Sequence, residues 1–151
     1  MKSIGLFFVL LFVMACGSDD AAPVIDNGRA DLASLSRDTG GTHTPVPLHA
    51  NGPDYAYYMY EPGGYAASSN DYPLLIYLHG ISDFGDPIRQ NDLFKVLRSG
   101  PPKMITNGSW KPEFPMLVVS PQLLITDLDW QPNQVQGFIE YLEDKYRINA
   151  S

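Results

Sequence analysis

Two short, unbroken apolar runs constrain this chain more than anything else in it. Leu74-Leu75-Ile76-Tyr77-Leu78 and Met116-Leu117-Val118-Val119 lack alternating polar positions, the pattern of strands covered on both faces of a sheet. Such strands need helices above and below, and the sequence supplies them. Leu93, Val96 and Leu97 have helical spacing, ended by Gly100-Pro101-Pro102. After the second run, Val135, Phe138, Ile139, Leu142 and Tyr146 form one apolar stripe at i, i+3, i+4, i+7 and i+11. Pro132 suits the first turn of that helix, and Glu143 and Arg147 are spaced to pair on its outer face. Upstream, Tyr55–Tyr60 is an aromatic strand closing at Pro62-Gly63-Gly64. Strand, helix, strand, helix predicts an α/β fold with a parallel core. A crossover after the last helix should deliver a further parallel strand. Only Asn149, Ala150 and Ser151 follow it, so the expected sheet is cut off where a core strand is due.

The N-terminus reads as export machinery. Met1-Lys2-Ser3 precedes the apolar run Ile4–Met14, which is 11 residues long and too short for a normal membrane span. The run ends in Val13-Met14-Ala15-Cys16, which resembles the bacterial lipobox. That resemblance implies a signal peptide over 1–15 and lipidation of Cys16, the only cysteine in the chain. An exported, membrane-anchored bacterial lipoprotein is expected, facing the periplasm or displayed on the cell surface. From 16 to 52 the chain is rich in Asp, Ala, Ser, Thr, Gly and Pro. Thr42-His43-Thr44-Pro45-Val46-Pro47 reads as turn and polyproline material, so this stretch is expected to be a flexible stalk. Residues 53–151 then form the folded domain.

Composition removes several function classes. Seventeen acidic against ten basic side chains give a formal charge of −7, which excludes a nucleic-acid binder needing a basic face. One cysteine excludes a disulfide scaffold and a Cys-rich zinc site. His43, His49 and His79 lack metal-ligand spacing. Asp127 and Asp129 lack a glycine-centred loop and read as a solvated turn rather than a calcium site. No metal and no cofactor is expected. Tyr55, Tyr57, Tyr58 and Tyr60 could stack on sugar rings, but sheet packing is the favoured reading. Trp130 is expected to pack the start of the last helix.

His79-Gly80-Ile81-Ser82-Asp83-Phe84-Gly85-Asp86 follows the first apolar run directly. A glycine-containing turn at the C-terminal end of such a strand presents backbone N–H groups to the crevice where α/β ligands bind. Pro73–Asp86 resembles the strand and oxyanion loop of α/β-hydrolase esterases. Ser99-Gly100-Pro101-Pro102-Lys103, Val118-Val119-Ser120-Pro121-Gln122, Trp130 and Lys145-Tyr146-Arg147-Ile148 follow in the family's order. Together they resemble the phospholipase/carboxylesterase-like and polyhydroxybutyrate-depolymerase-like branch, over about residues 54–148.

The resemblance implies the N-terminal half of an α/β-hydrolase sheet, truncated before the nucleophile elbow. It makes the Ile81 N–H one oxyanion donor, with Gly80 permitting the turn and His79 shaping the loop. The Gly-x-Ser-x-Gly elbow, with the later Asp and His of the triad, is missing. Gly80-Ile81-Ser82-Asp83-Phe84 begins like an elbow, but Phe84 stands where the second glycine belongs. Ser82 is therefore read as a loop hydroxyl. Two functions remain open. One is a fragment of a lipid-anchored serine esterase, whose complete form acts on small-molecule or polymeric carboxylic esters. The other is a non-catalytic surface lipoprotein retaining the half-fold. Either way Leu74–Leu78 is expected to form an open apolar edge, and the isolated chain to be poorly soluble.

Overall fold

The computed structural model describes residues 32, 34–48, 52–86 and 92–149. The expected signal over 1–15, the lipidation site Cys16 and His49 lie outside the described residues. The architecture is a mixed four-stranded sheet with helices, in the order β1 (Thr42–Val46), β2 (Ala56–Glu61), β4 (Leu117–Gln122), β3 (Leu74–Ile76). β1 and β2 are antiparallel, β2 and β4 are antiparallel, and β3 and β4 are parallel. Between β3 and β4 the chain forms a 3-10 segment, Leu93–Arg98, and the helix α1 (Gly100–Thr106). A longer helix, α2 (Pro132–Lys145), follows β4.

β4 is buried along its whole length, as its unbroken apolar run requires. Leu117 and Val119 face the main core with Tyr55, Tyr57, Met59 and Leu123 of the sheet side and Phe138 and Leu142 of α2. The Phe138 ring meets Tyr57 and Tyr55 edge-on, at centroid distances of 5.3 and 5.5 Å. The C-terminal end of α2 is tied down by hydroxyls. Tyr57 and Tyr146 share a hydrogen bond of 3.1 Å, and burial followed by that bond pushes the Tyr57 phenol well above its ordinary range. Lys145 Nζ donates to Tyr141 at 2.9 Å and draws that phenol's pKa down. Strand alternation sends Tyr58 and Tyr60 to the opposite face. There the Leu93–Arg98 segment and α1 cover the sheet, burying their own Val96 and Pro102.

Four sequence expectations need correction. Thr42–Val46, assigned to the stalk, is the outer strand of the sheet. Pro45 is tolerated there because an edge strand has one side without a ladder partner. The segment before it is also attached: Asp38 Oδ1 accepts the N–H groups of Gly40 and Gly63, and Oδ2 accepts the Tyr60 hydroxyl at 2.7 Å. Second, Gly100-Pro101-Pro102 opens α1 instead of ending a helix. First-turn N–H groups have no partner within the helix, so prolines lose nothing there. Third, α2 stops at Lys145, so Arg147 does not reach Glu143. Its guanidinium lies 4.1 Å from the Tyr65 ring centroid and Nη2 donates to the Tyr65 carbonyl. Fourth, β3 covers only Leu74–Ile76 and is half-buried, because it lies at the sheet's edge, and Leu78 is 41% exposed.

Just beyond α2 the backbone turns toward that edge. Tyr72 donates to the Arg147 carbonyl and accepts from the Asn149 N–H, both at 3.0 Å, and Ile148 forms a parallel bridge with Tyr72. The segment leaving α2 thus enters the position next to β3 in parallel register.

His43, on β1, is a pH-sensitive point of the fold. Burial lowers its pKa from 6.5, so the folded state takes up a proton less readily than the unfolded chain. Stability contributed by the neutral ring is complete at higher pH and is lost as pH falls through about 6.5 toward the lower folded value. Urea midpoints are expected to drop across this window in the parent chain and to drop less in His43→Gln.

Candidate functional site

Strand pairing continues past the ends of β3 and β4 and builds a small loop platform at their C-terminal ends. Tyr77 donates to the Val119 carbonyl at 2.8 Å, Gly85 to the Leu123 carbonyl at 2.8 Å, and Ile125 to Gly85 at 2.9 Å. The loop between, residues 79–84, is therefore held at both ends by the strand beside it. Gly85 permits this approach, since a Cβ there would lie 2.7 Å from the Gln122 amide oxygen.

His79 fixes the loop from inside. Its side chain is buried, and the Leu123 N–H donates to Nε2 at 3.0 Å. That leaves Nδ1 as the protonated nitrogen, which donates to the Gly80 carbonyl at 2.7 Å. The His79 carbonyl accepts the Trp130 indole N–H at 3.2 Å, and the two rings pack edge-on at 5.2 Å. With both ring nitrogens engaged and the ring enclosed, His79 is not placed to remove a proton from a substrate or from Ser82.

The next residues form a single 3-10 turn, Ile81–Asp83, entered from an extended Gly80 with φ −88° and ψ −172°. Asp83 donates its N–H to the Gly80 carbonyl at 3.3 Å, closing the turn. The Ile81 N–H sits at the open start of that turn and has no acceptor among the described residues. Its side chain is 86% exposed, and Ser82 is exposed beside it.

Asp83 is the anchor that sequence reading missed. It is 2% exposed, and its Oδ2 accepts the Ser99 hydroxyl at 3.3 Å. Ser99 in turn shares a 2.9 Å bond with the Tyr77 hydroxyl. The Gln122 amide donates to the carbonyls of Asp83 and Asp92, both at 3.1 Å. Ser99 and Gln122 thus gain specific partners within the motifs quoted for the resemblance. No local pattern could have revealed these bonds, because they join residues 16 and 39 positions apart.

Chemically, the platform offers an open backbone donor, the Ile81 N–H, at the start of a turn held at both ends. It has no nucleophile–base pair: Ser82 has no basic partner among the described residues, and the buried His79 is committed elsewhere. Asp127 and Asp129 are exposed, and no group of three or more potential metal ligands occurs among the described residues. Exposed apolar side chains, Leu78, Ile81, Ile125 and Leu128, mark this same end of the sheet.

No family model and no curated protein sequence matches the chain. Solved structures with a similar arrangement include a ferulic acid esterase, 20% identical with a TM-score of 0.41, the match covering 72% of this chain and 46% of that one. The CE1 ferulic acid esterase of the anaerobic fungus Anaeromyces mucronatus is 20% identical with a TM-score of 0.38, covering 72% and 45%. A thermostable esterase is 18% identical with a TM-score of 0.41, covering 72% and 32%. The chain spans less than half the length of each of these proteins.

Proposed function

We propose that this chain is the strand-and-oxyanion-loop portion of a lipid-anchored serine esterase. The observation that carries the reading is the Ile81 N–H, open at the start of a turn pinned by His79, Asp83 and Gly85. A rigid donor of this kind binds the oxygen of an ester carbonyl more strongly as negative charge develops on it. His79 acts by holding the Gly80 carbonyl and the Leu123 N–H, so that the turn keeps its shape without reorganising. The second donor, the nucleophile, the acid and the base belong to a part of the enzyme outside these 151 residues. The exposed Leu78, Ile81, Ile125 and Leu128 are suited to be covered by that part, and to border an acyl site on small-molecule or polymeric esters. Export and anchorage through Cys16 complete the proposal.

The deciding experiment is to sequence the source DNA through codon 151 and beyond. A frame encoding Gly-x-Ser-x-Gly, followed later by Asp and His, is expected. Its absence from every frame would overturn the reading. The 151-residue chain itself is expected to hydrolyse p-nitrophenyl acetate no faster than buffer, with Ser82→Ala unchanged. Turnover by purified monomer that disappears in Ser82→Ala would identify Ser82 as a nucleophile and reject the assignment made here.

A further inference from the structure

A cleft of about 1010 Å³ lies away from the Ile81 loop, against the face of the sheet opposite α2. Tyr58 and Tyr60 line it from β2, His43 from β1, and Trp110 and Lys111 from the segment after α1, with Arg37 at its N-terminal side. Tyr60 pairs with Val118 near the start of β4, whereas the Ile81 loop belongs to the strand's other end. We propose that this cleft binds an acidic oligosaccharide, a chain of uronic-acid sugars.

Three observations support that ligand class. First, the wall is aromatic. The His43 ring lies 5.0 Å from Tyr58 and 6.2 Å from Tyr60, and the half-buried Trp110 belongs to the same lining. Sugar rings offer C–H faces that pack well on such surfaces. Second, two buried hydrogen-bonding atoms in this wall are unpaired, which folded proteins seldom tolerate without a use for them. They are Trp110 Nε1, a donor, and His43 Nε2. Thr106 Oγ1 donates to the Pro102 carbonyl at 2.9 Å and faces His43 Nδ1 at 3.4 Å. Nδ1 is therefore the protonated nitrogen and Nε2 the acceptor. Sugar hydroxyls both donate and accept, so a ligand that reaches both atoms satisfies the pair. Both residues line the cleft, and each is only half-buried.

Third, the charge of the lining opposes that of the chain. Arg37 and Lys111 are exposed cations at the rim of a protein with formal charge −7. Asp38, the carboxylate in the lining, is already engaged by two backbone N–H groups and the Tyr60 hydroxyl. A sugar carboxylate is the counterpart that these two cations, unpaired among the described residues, select. The cleft's volume lies at the upper end of ordinary ligand sites, which have about 300–1,000 Å³, so it accommodates more than one ring.

Isothermal titration of the full chain, kept in detergent, with an oligogalacturonate and with a neutral xylo-oligosaccharide tests this. Saturable binding of the acidic oligomer is expected, weakened by added salt and weaker for the neutral one. Arg37→Ala combined with Lys111→Ala touches only exposed side chains and is expected to weaken it by at least about tenfold. Trp110→Phe keeps a ring while deleting the N–H and is expected to weaken both oligomers. Absence of saturable binding, equal affinity for the two oligomers, or indifference to all three substitutions would overturn the proposal. None of these outcomes depends on the esterase reading, because no ester is turned over.

Discussion

Ile81→Pro is expected to lower the kcat of a complete esterase built on this segment by about 10²–10³-fold, with KM little changed. Proline removes the one backbone N–H proposed to meet the carbonyl oxygen and alters little else. The residue begins a 3-10 turn, whose φ lies close to the value that the proline ring fixes. Gly80 before it is extended, as a residue preceding proline prefers. Its exposed side chain packs against nothing that the substitution would disrupt. Ile81→Ala, which retains the N–H, is the control and should keep nearly full activity. Equal losses in both variants would mean that the side chain, not the donor, matters.

Phe138→Ala is expected to destabilise the chain by about 3–5 kcal/mol. Phe138 is 2% exposed and meets Tyr55, Tyr57 and Tyr141, so truncation leaves a cavity bounded by rings that cannot collapse into it. A domain of this size is commonly stable by only about 5–15 kcal/mol. The loss would therefore remove a large share of the folding stability. Urea unfolding followed by tyrosine fluorescence measures it, and a change below about 1 kcal/mol would mean that α2 is not docked as described.

The sequence made some of this legible and hid the rest for physical reasons. The α2 stripe and the β4 run could be read because each is local and strongly patterned: Phe138 and Leu142 are core, and all of β4 is buried. β1 was obscured by Pro45 and Pro47, which imitate a linker, and its only signal was the recurrence of β-branched Thr42, Thr44 and Val46. The aromatic run on β2 was read as one strand, but its two faces have separate fates. Tyr55 and Tyr57 fill the core, whereas Tyr58 and Tyr60 face the cleft. At the loop, the glycine-bearing turn was visible in His79-Gly80-Ile81. Its anchorage was not, because Asp83, Ser99 and Gln122 meet only once the sheet has formed.

The carboxylate clasp at Asp38 sets how far the polypeptide can be shortened from its N-terminal side. Deletion up to Arg37 leaves all three bonds to Gly40, Tyr60 and Gly63 in place. Deletion of one residue more strips them together, frees the Gly40–Gly41 backbone and unpins the end of β1 that pairs Thr42 with Glu61. With a single neighbour in the sheet, β1 would then peel from that end like a zipper, exposing β2. A protease cutting ahead of Asp38 should therefore stop at a resistant core, whereas a cut just behind it should be followed by further digestion.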